Sequence, residues 1–119
     1  MNDRLREFRE YREKMNERIL ESGDLTTSRF FAIDARCYEP SALDAKVKEM
    51  LGLVASTVLR CDDCITYHIT RCAEEGVTFE EFREVMAIAL VVGGSIAIPH
   101  VRRAYEIWDA LAVDCGVQG

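Results

Sequence analysis

No stretch of this sequence is apolar for long enough to cross a bilayer. The longest, Met86 to Pro99, falls short of the roughly 20 residues that a helical span needs, and Gly93 and Gly94 interrupt it. The N-terminal segment MNDRLREFREYREKMNE is dense in charge and has no apolar h-region, so it does not read as a secretory signal. Positive charge is in deficit: 15 Lys and Arg stand against 21 Asp and Glu, a formal net charge of -6. That balance argues against nonspecific binding to nucleic acid or to an anionic membrane. There is no internal repeat, no low-complexity linker and no β-hairpin signal. These absences leave a soluble, cytoplasmic protein as the expectation. Its 119 residues, 49% of them hydrophobic, suit one domain spanning residues 1–119 with a core of its own.

What is present reads as helix almost throughout, so the fold class expected is all-α, a compact multi-helix domain. Residues 2–21 place Leu5, Phe8, Tyr11 or Arg12, Met15 and Ile19 at three- and four-residue steps. Ser22-Gly23 ends that helix and Asp24 can open a short one over Leu25 to Cys37. After the break at Glu39-Pro40-Ser41, Ser41 is the expected N-cap of a helix from Leu43 to Leu59. Its apolar face would be Val47, Met50 or Leu51, Val54 and Val58. A turn near Arg60 leads to a helix that begins at Asp62 and Asp63 and stops before Gly76. Thr78-Phe79-Glu80-Glu81 is a capping box that opens a helix to about Val92. Gly93-Gly94-Ser95 interrupts the chain or lets helices approach closely. The last helix, to about Val113, starts near Pro99 or kinks there.

The five cysteines are Cys37, Cys61, Cys64, Cys72 and Cys115. An odd number without a secretory signal does not suggest a structural disulfide framework. Cys61-Asp62-Asp63-Cys64 is different, because it sits where a helix begins. Two thiols at that spacing can form a disulfide within one turn, and a helix N-terminus favours the thiolate that does the chemistry. His68 follows Cys64 by four residues, one turn along the same face, and can take its proton. If the chain reverses near Arg60, Glu49 lies about eleven residues back, roughly 16 Å, and His68 about eight residues on, roughly 12 Å. The two tips then meet at one level of a helical hairpin that carries the cysteine pair. A Glu49–His68–Cys64 proton relay becomes possible. Asp62 and Asp63 work against it, since negative charge beside a thiol raises its pKa.

Glu49-x11-Cys61-x2-Cys64-x3-His68 resembles the signature of the alkylhydroperoxidase D family within the carboxymuconolactone decarboxylase-like superfamily. The likeness runs on through the Thr78 capping box and the Gly93-Gly94 pair, over residues of about 41–112. Residues 1–40 would be an N-terminal helical extension. The resemblance implies an all-α fold, homo-oligomers such as trimers or hexamers, and hydroperoxide reduction through a cysteine disulfide. It implies that Cys64 attacks the peroxide, that Cys61 resolves, and that Glu49 and His68 relay the proton. A dithiol protein or small thiol would then reduce the pair, with no cofactor. The family's peroxidases carry a histidine immediately before the second cysteine; here that residue is Asp63. The superfamily's decarboxylases lack the paired cysteines, which turns the expectation away from lactone decarboxylation.

Plainer readings stand beside this one. The protein could be a general disulfide reductase, or a non-catalytic helical module that binds metal or assembles. Cys61, Cys64, His68 and Cys72 are zinc-ligand types, but Cys72 lies about 12 Å from Cys64 by helical rise, too far for one ion. No metal is therefore expected. Glu49 could be a solvated carboxylate and His68 a hydrogen-bonded core residue. His100 is either structural or a second proton carrier near the thiols. Cys37, Cys72 and Cys115 read as small hydrophobes, and Tyr105 and Trp108 as core or interface.

Overall fold

The computed structural model describes residues 2–115, with side chains as far as residue 112. Among the described residues there are six α-helices, one 3-10 turn and no strand. The chain divides into two compact units, Met1–Glu39 and Pro40–Gly119. The division falls at the Glu39-Pro40 break that the sequence marks.

The first unit holds α1 (Asp3–Ser22) and α2 (Leu25–Cys37). Asn2 caps α1 by accepting the Leu5 N–H at 2.9 Å, and Asp24 caps α2 by accepting from Thr27. Along α1, Leu5 is buried and Phe8, Arg12 and Met15 are half-buried, whereas Tyr11 and Ile19 are exposed. The stripe therefore passes through Arg12, whose long aliphatic stem can cover apolar surface.

The second unit contains α3 (Ala45–Val58), α4 (Asp62–Glu74), α5 (Phe79–Gly93), a 3-10 turn at Ser95–Ala97 and α6 (Ile98–Cys115). Helix α3 packs on α4 and α5, and α4 packs on α6. The core centres on Phe82 of α5, which stacks on Trp108 of α6 with ring centroids 4.7 Å apart and meets Tyr105 edge-on at 5.1 Å. Leu53, Ile65, Ile69, Met86 and Ala104 are fully buried around it. Pro99 sits in the first turn of α6, where its missing N–H costs nothing, so that helix starts there and is not kinked. The Thr78 capping box is formed in full.

Two expectations for α3 are corrected. Its N-cap is Asp44, which accepts the Val47 N–H at 2.9 Å, and not Ser41. Ser41 instead turns its own N–H back onto the Leu43 carbonyl. The buried face is also different. Glu49, Gly52, Leu53, Ser56 and Thr57 are buried, while Val47, Met50, Val54 and Val58 are half-buried and Leu51 is exposed. Two of the polar groups on the buried stripe have partners: Thr57 Oγ1 donates to the Leu53 carbonyl at 2.8 Å, and Glu49 is bound as described below.

The turns at both ends of α4 are the same device. At the end of α3, Cys61 N–H donates to the Ser56 carbonyl and Arg60 N–H to the Thr57 carbonyl. At the end of α4, Val77 N–H reaches Cys72 and Gly76 N–H reaches Ala73. Each is a Schellman cap, which needs a left-handed residue at its corner. Gly76 fills that role with φ 84, but at the other corner Arg60 adopts φ 62. Gly93 serves a different need: a Cβ there would meet the Ala97 Cβ at 3.3 Å and the Val58 Cα at 3.7 Å, so it lets α5 approach its neighbours closely.

A left-handed arginine costs roughly 1–2 kcal/mol, part of which glycine would return through its greater freedom when unfolded. Arg60→Gly should therefore stabilise the protein by about 0.5–1 kcal/mol in urea denaturation. Loss of stability would mean that the Arg60 side chain holds the turn.

Candidate active site

The α3–α4 hairpin turns at Arg60 and delivers Cys61 as the N-cap of α4. A cysteine at this position is unusual, because the cap must accept an N–H. Here the Cys61 sulfur accepts the Cys64 N–H at 3.3 Å. Cys61 and Cys64 are joined as a disulfide with Cα atoms 5.3 Å apart. As residues, Cys61 is half-buried and Cys64 exposed. Asp62 and Asp63 occupy the first turn of α4, where the macrodipole favours negative charge.

His68 lies one turn beyond Cys64 on α4 and is buried. Its Nδ1 is 2.8 Å from Glu49 Oε1 on α3. Glu49 is 1% exposed, a degree of burial that a carboxylate tolerates only with partners. With Glu49 ionised, His68 Nδ1–H donates to it, which fixes the tautomer and turns Nε2 into the nitrogen available for proton exchange. The sequence arithmetic thus placed the two tips at the same level. The solvated-carboxylate reading of Glu49 does not survive the burial, whereas His68 is buried and hydrogen-bonded, which both the relay and the core-residue readings require.

Two residues in the site escaped the sequence reading. Gly52 is the first. A Cβ at Gly52 would stand 2.6 Å from His68 Cε1 and 2.9 Å from both ring nitrogens, so the imidazole lies directly over the α3 backbone. The sequence signal was only a glycine one turn after Glu49 inside a helix, where glycine costs about 1 kcal/mol relative to alanine. Arg71 is the second. Its Nε is 3.7 Å from Glu49 Oε2, while its terminal nitrogens pair with Glu74 and Glu75, each at 3.2 Å. These carboxylates raise the Arg71 pKa against the burial that lowers it. Cys72 is fully buried, and burial, together with the Glu49 charge, pushes its thiol up to about 12. Cys72 is a neutral packing residue at physiological pH, as read from the sequence.

His100 does not point its bonding nitrogen at the sulfurs. Its Nδ1 is 2.7 Å from Asp62 Oδ1, inside the Cys-x-x-Cys segment. Among the described residues no group of three or more His, Cys, Asp or Glu side chains is placed to hold a metal ion. Cys115 lies outside the described side chains. No helix among the described residues is long and apolar enough to cross a membrane.

Two outcomes follow from this geometry. Gly52→Ala should destabilise the protein by about 1–3 kcal/mol despite alanine's better helix propensity, because the imidazole must move. A stabilised variant in denaturant unfolding would contradict the close approach. In reduced native protein at pH 8, iodoacetamide should label the Cys61/Cys64 peptide and spare Cys72, as mass mapping would show. Equal labelling would mean that Cys72 is neither buried nor shifted.

The sequence model of the Carboxymuconolactone decarboxylase family matches residues 24–106. The match starts at the α2 cap, earlier than residue 41, where the motif resemblance begins. A Thermotoga maritima protein of that family, suggested to be involved in antioxidative response, has a crystal structure that superposes with a TM-score of 0.88. It is 53% identical and the alignment covers 92% of this chain and 95% of that one. A Legionella pneumophila family protein at 21% identity, covering 93% of this chain and 99% of its own, shares the fold with a TM-score of 0.80. An uncharacterized protein of Cupriavidus necator is 29% identical over 84 residues, which is 71% of this chain and 74% of that protein. A match running from the cap of α2 into α6, with more than half of the aligned positions shared with a solved member, places the chain in the carboxymuconolactone decarboxylase family.

Proposed function

We propose that the protein is a thiol-dependent peroxidase of the alkylhydroperoxidase D type, working through the Cys61/Cys64 pair. The observation that carries this reading is the buried 2.8 Å Glu49–His68 hydrogen bond one turn from Cys64. A carboxylate and an imidazole buried together beside a redox pair form a ready proton relay. The suggested antioxidative involvement of the Thermotoga maritima relative agrees with it.

His68, held by Glu49, takes the Cys64 proton. The thiolate attacks the terminal peroxide oxygen; the O–O bond breaks, and the alkoxide leaves as an alcohol with the proton that His68 returns. Cys64 is now a sulfenic acid. Cys61 attacks its sulfur, the Cys61–Cys64 disulfide forms and water leaves. The Cys64 N–H beside the Cys61 sulfur favours the thiolate needed for this second step. An external dithiol, on a protein or a small molecule, reduces the disulfide and is itself oxidised. We place this cycle in the cytoplasm, where such reductants are kept reduced. The acidic chain calls for neither nucleic acid nor membrane, and no cofactor enters the cycle.

Leu51, Leu59, Ile88, Val91, Val92 and Ile96 are each more than half exposed. We assign these side chains to contacts in a homo-oligomer, a trimer or hexamer. Lactone decarboxylation would need arginines facing the substrate's carboxylates. Arg71 and Arg103 are instead paired with carboxylates of this chain. The second reading, disulfide reduction on a protein substrate, is favoured by Asp63 at the position where the family's peroxidases carry histidine.

Reduced protein mixed with a hydroperoxide should lose two thiols rapidly and yield a Cys61–Cys64 bond by mass mapping. Cys64→Ser should abolish this, and Glu49→Gln should slow it by about a hundredfold or more with the fold retained. Oxidation no faster than that of a free thiol would leave disulfide exchange in place of peroxide reduction.

A further inference from the structure

The two acidic residues between the cysteines pose a problem for the pair. A carboxylate within one or two residues of both sulfurs disfavours thiolate at each, and thiolate is the reactive form. Helix α6 meets one of those two charges directly. Asp62 Oδ1 lies 2.7 Å from His100 Nδ1, and Oδ2 lies 3.5 Å from Arg103 Nη1. His100 and Arg103 are one turn apart on α6, so both reach the same carboxylate from one helix face. The Asp62 main chain is fixed as well, since its carbonyl accepts Thr66 Oγ at 2.9 Å. The contact is half-sheltered: the side chains of His100 and Asp62 are 21% and 38% exposed.

We propose that His100 and Arg103 are positioning residues of the redox pair, which hold and partly offset the Asp62 carboxylate so that it opposes thiolate at Cys61 and Cys64 less than it would alone. The role rests on the redox reading of the pair but is separate from the Glu49–His68 relay, which approaches from α3. It also differs from proton delivery by His100, because the imidazole acts through Asp62 and not on a sulfur. Among the described residues, Asp63, which is exposed, has no such partner from α6. The arrangement selects the one acidic residue adjacent to the capping sulfur.

The test reads the thiols one peptide at a time. Reduced protein is alkylated across a pH series and the Cys61/Cys64 peptide is quantified by mass, giving an apparent pKa for the pair. His100→Gln should raise that value by about half a unit or more, a roughly threefold loss of thiolate below it, and Asp62→Asn should lower it by a similar amount. In the Asp62→Asn background, His100→Gln should add nothing. Arg103→Met, at a side chain 57% exposed, endangers the fold least and should shift the value in the same direction as His100→Gln. Superimposable titrations of wild type and the single variants would overturn the proposal. So would an equal His100→Gln shift in the Asp62→Asn background, because the imidazole would then act on the thiols directly. The measurement needs no turnover. A pair that titrates as expected yet is oxidised by neither hydroperoxide nor disulfide would count against the proposed function alone.

Discussion

A carboxylate and an imidazole buried against each other across a helical hairpin are the constraint around which the second unit is built. Taking Glu49 and His68 out of water carries a desolvation cost that only a well-made hydrogen bond offsets. That bond dictates its neighbours. The α3 backbone must come close beneath the ring, which requires Gly52. The second carboxylate oxygen faces Arg71, itself anchored by Glu74 and Glu75. The hairpin must turn within three residues to bring the two tips level, and Arg60 in a left-handed conformation is what achieves it.

The cysteine pair is a consequence of the same turn. The Schellman cap that ends α3 directs the Cys61 N–H back to Ser56 and leaves its side chain to cap α4. One sulfur is thus a structural acceptor, and the other belongs to an exposed residue. Around them, two histidines have separate duties: His68 is bound to α3 through Glu49, and His100 ties α6 to α4 through Asp62. The pair is therefore addressed from two sides, through Glu49 on α3 and through Asp62 from α6.

Much of this was legible in the sequence where it depended on distance along a helix. Cys61, Cys64 and His68 share one helix, and Glu49 followed from helical rise once a turn at Arg60 was assumed. The helices, their caps at Asp24 and Thr78, and the stop at Gly76 were readable from local chemistry. Features that depend on packing between helices were not. The Asp62–His100 contact joins residues 38 apart and is set by the angle at which α6 crosses α4. The buried face of α3 was misread because periodicity follows apolar residues, and this stripe is half polar. Gly52 was invisible for a related reason: its contribution is a missing side chain.

The Cys61 cap carries one more consequence. A sulfur that accepts the Cys64 N–H is a weak acceptor when bonded in a disulfide and a far stronger one as a thiolate. The first turn of α4 is accordingly held more tightly in one oxidation state than in the other. Electron uptake and helix integrity are then coupled around a closed thermodynamic cycle. Whatever frays the beginning of α4 makes the protein harder to reduce, and whatever firms it makes reduction easier.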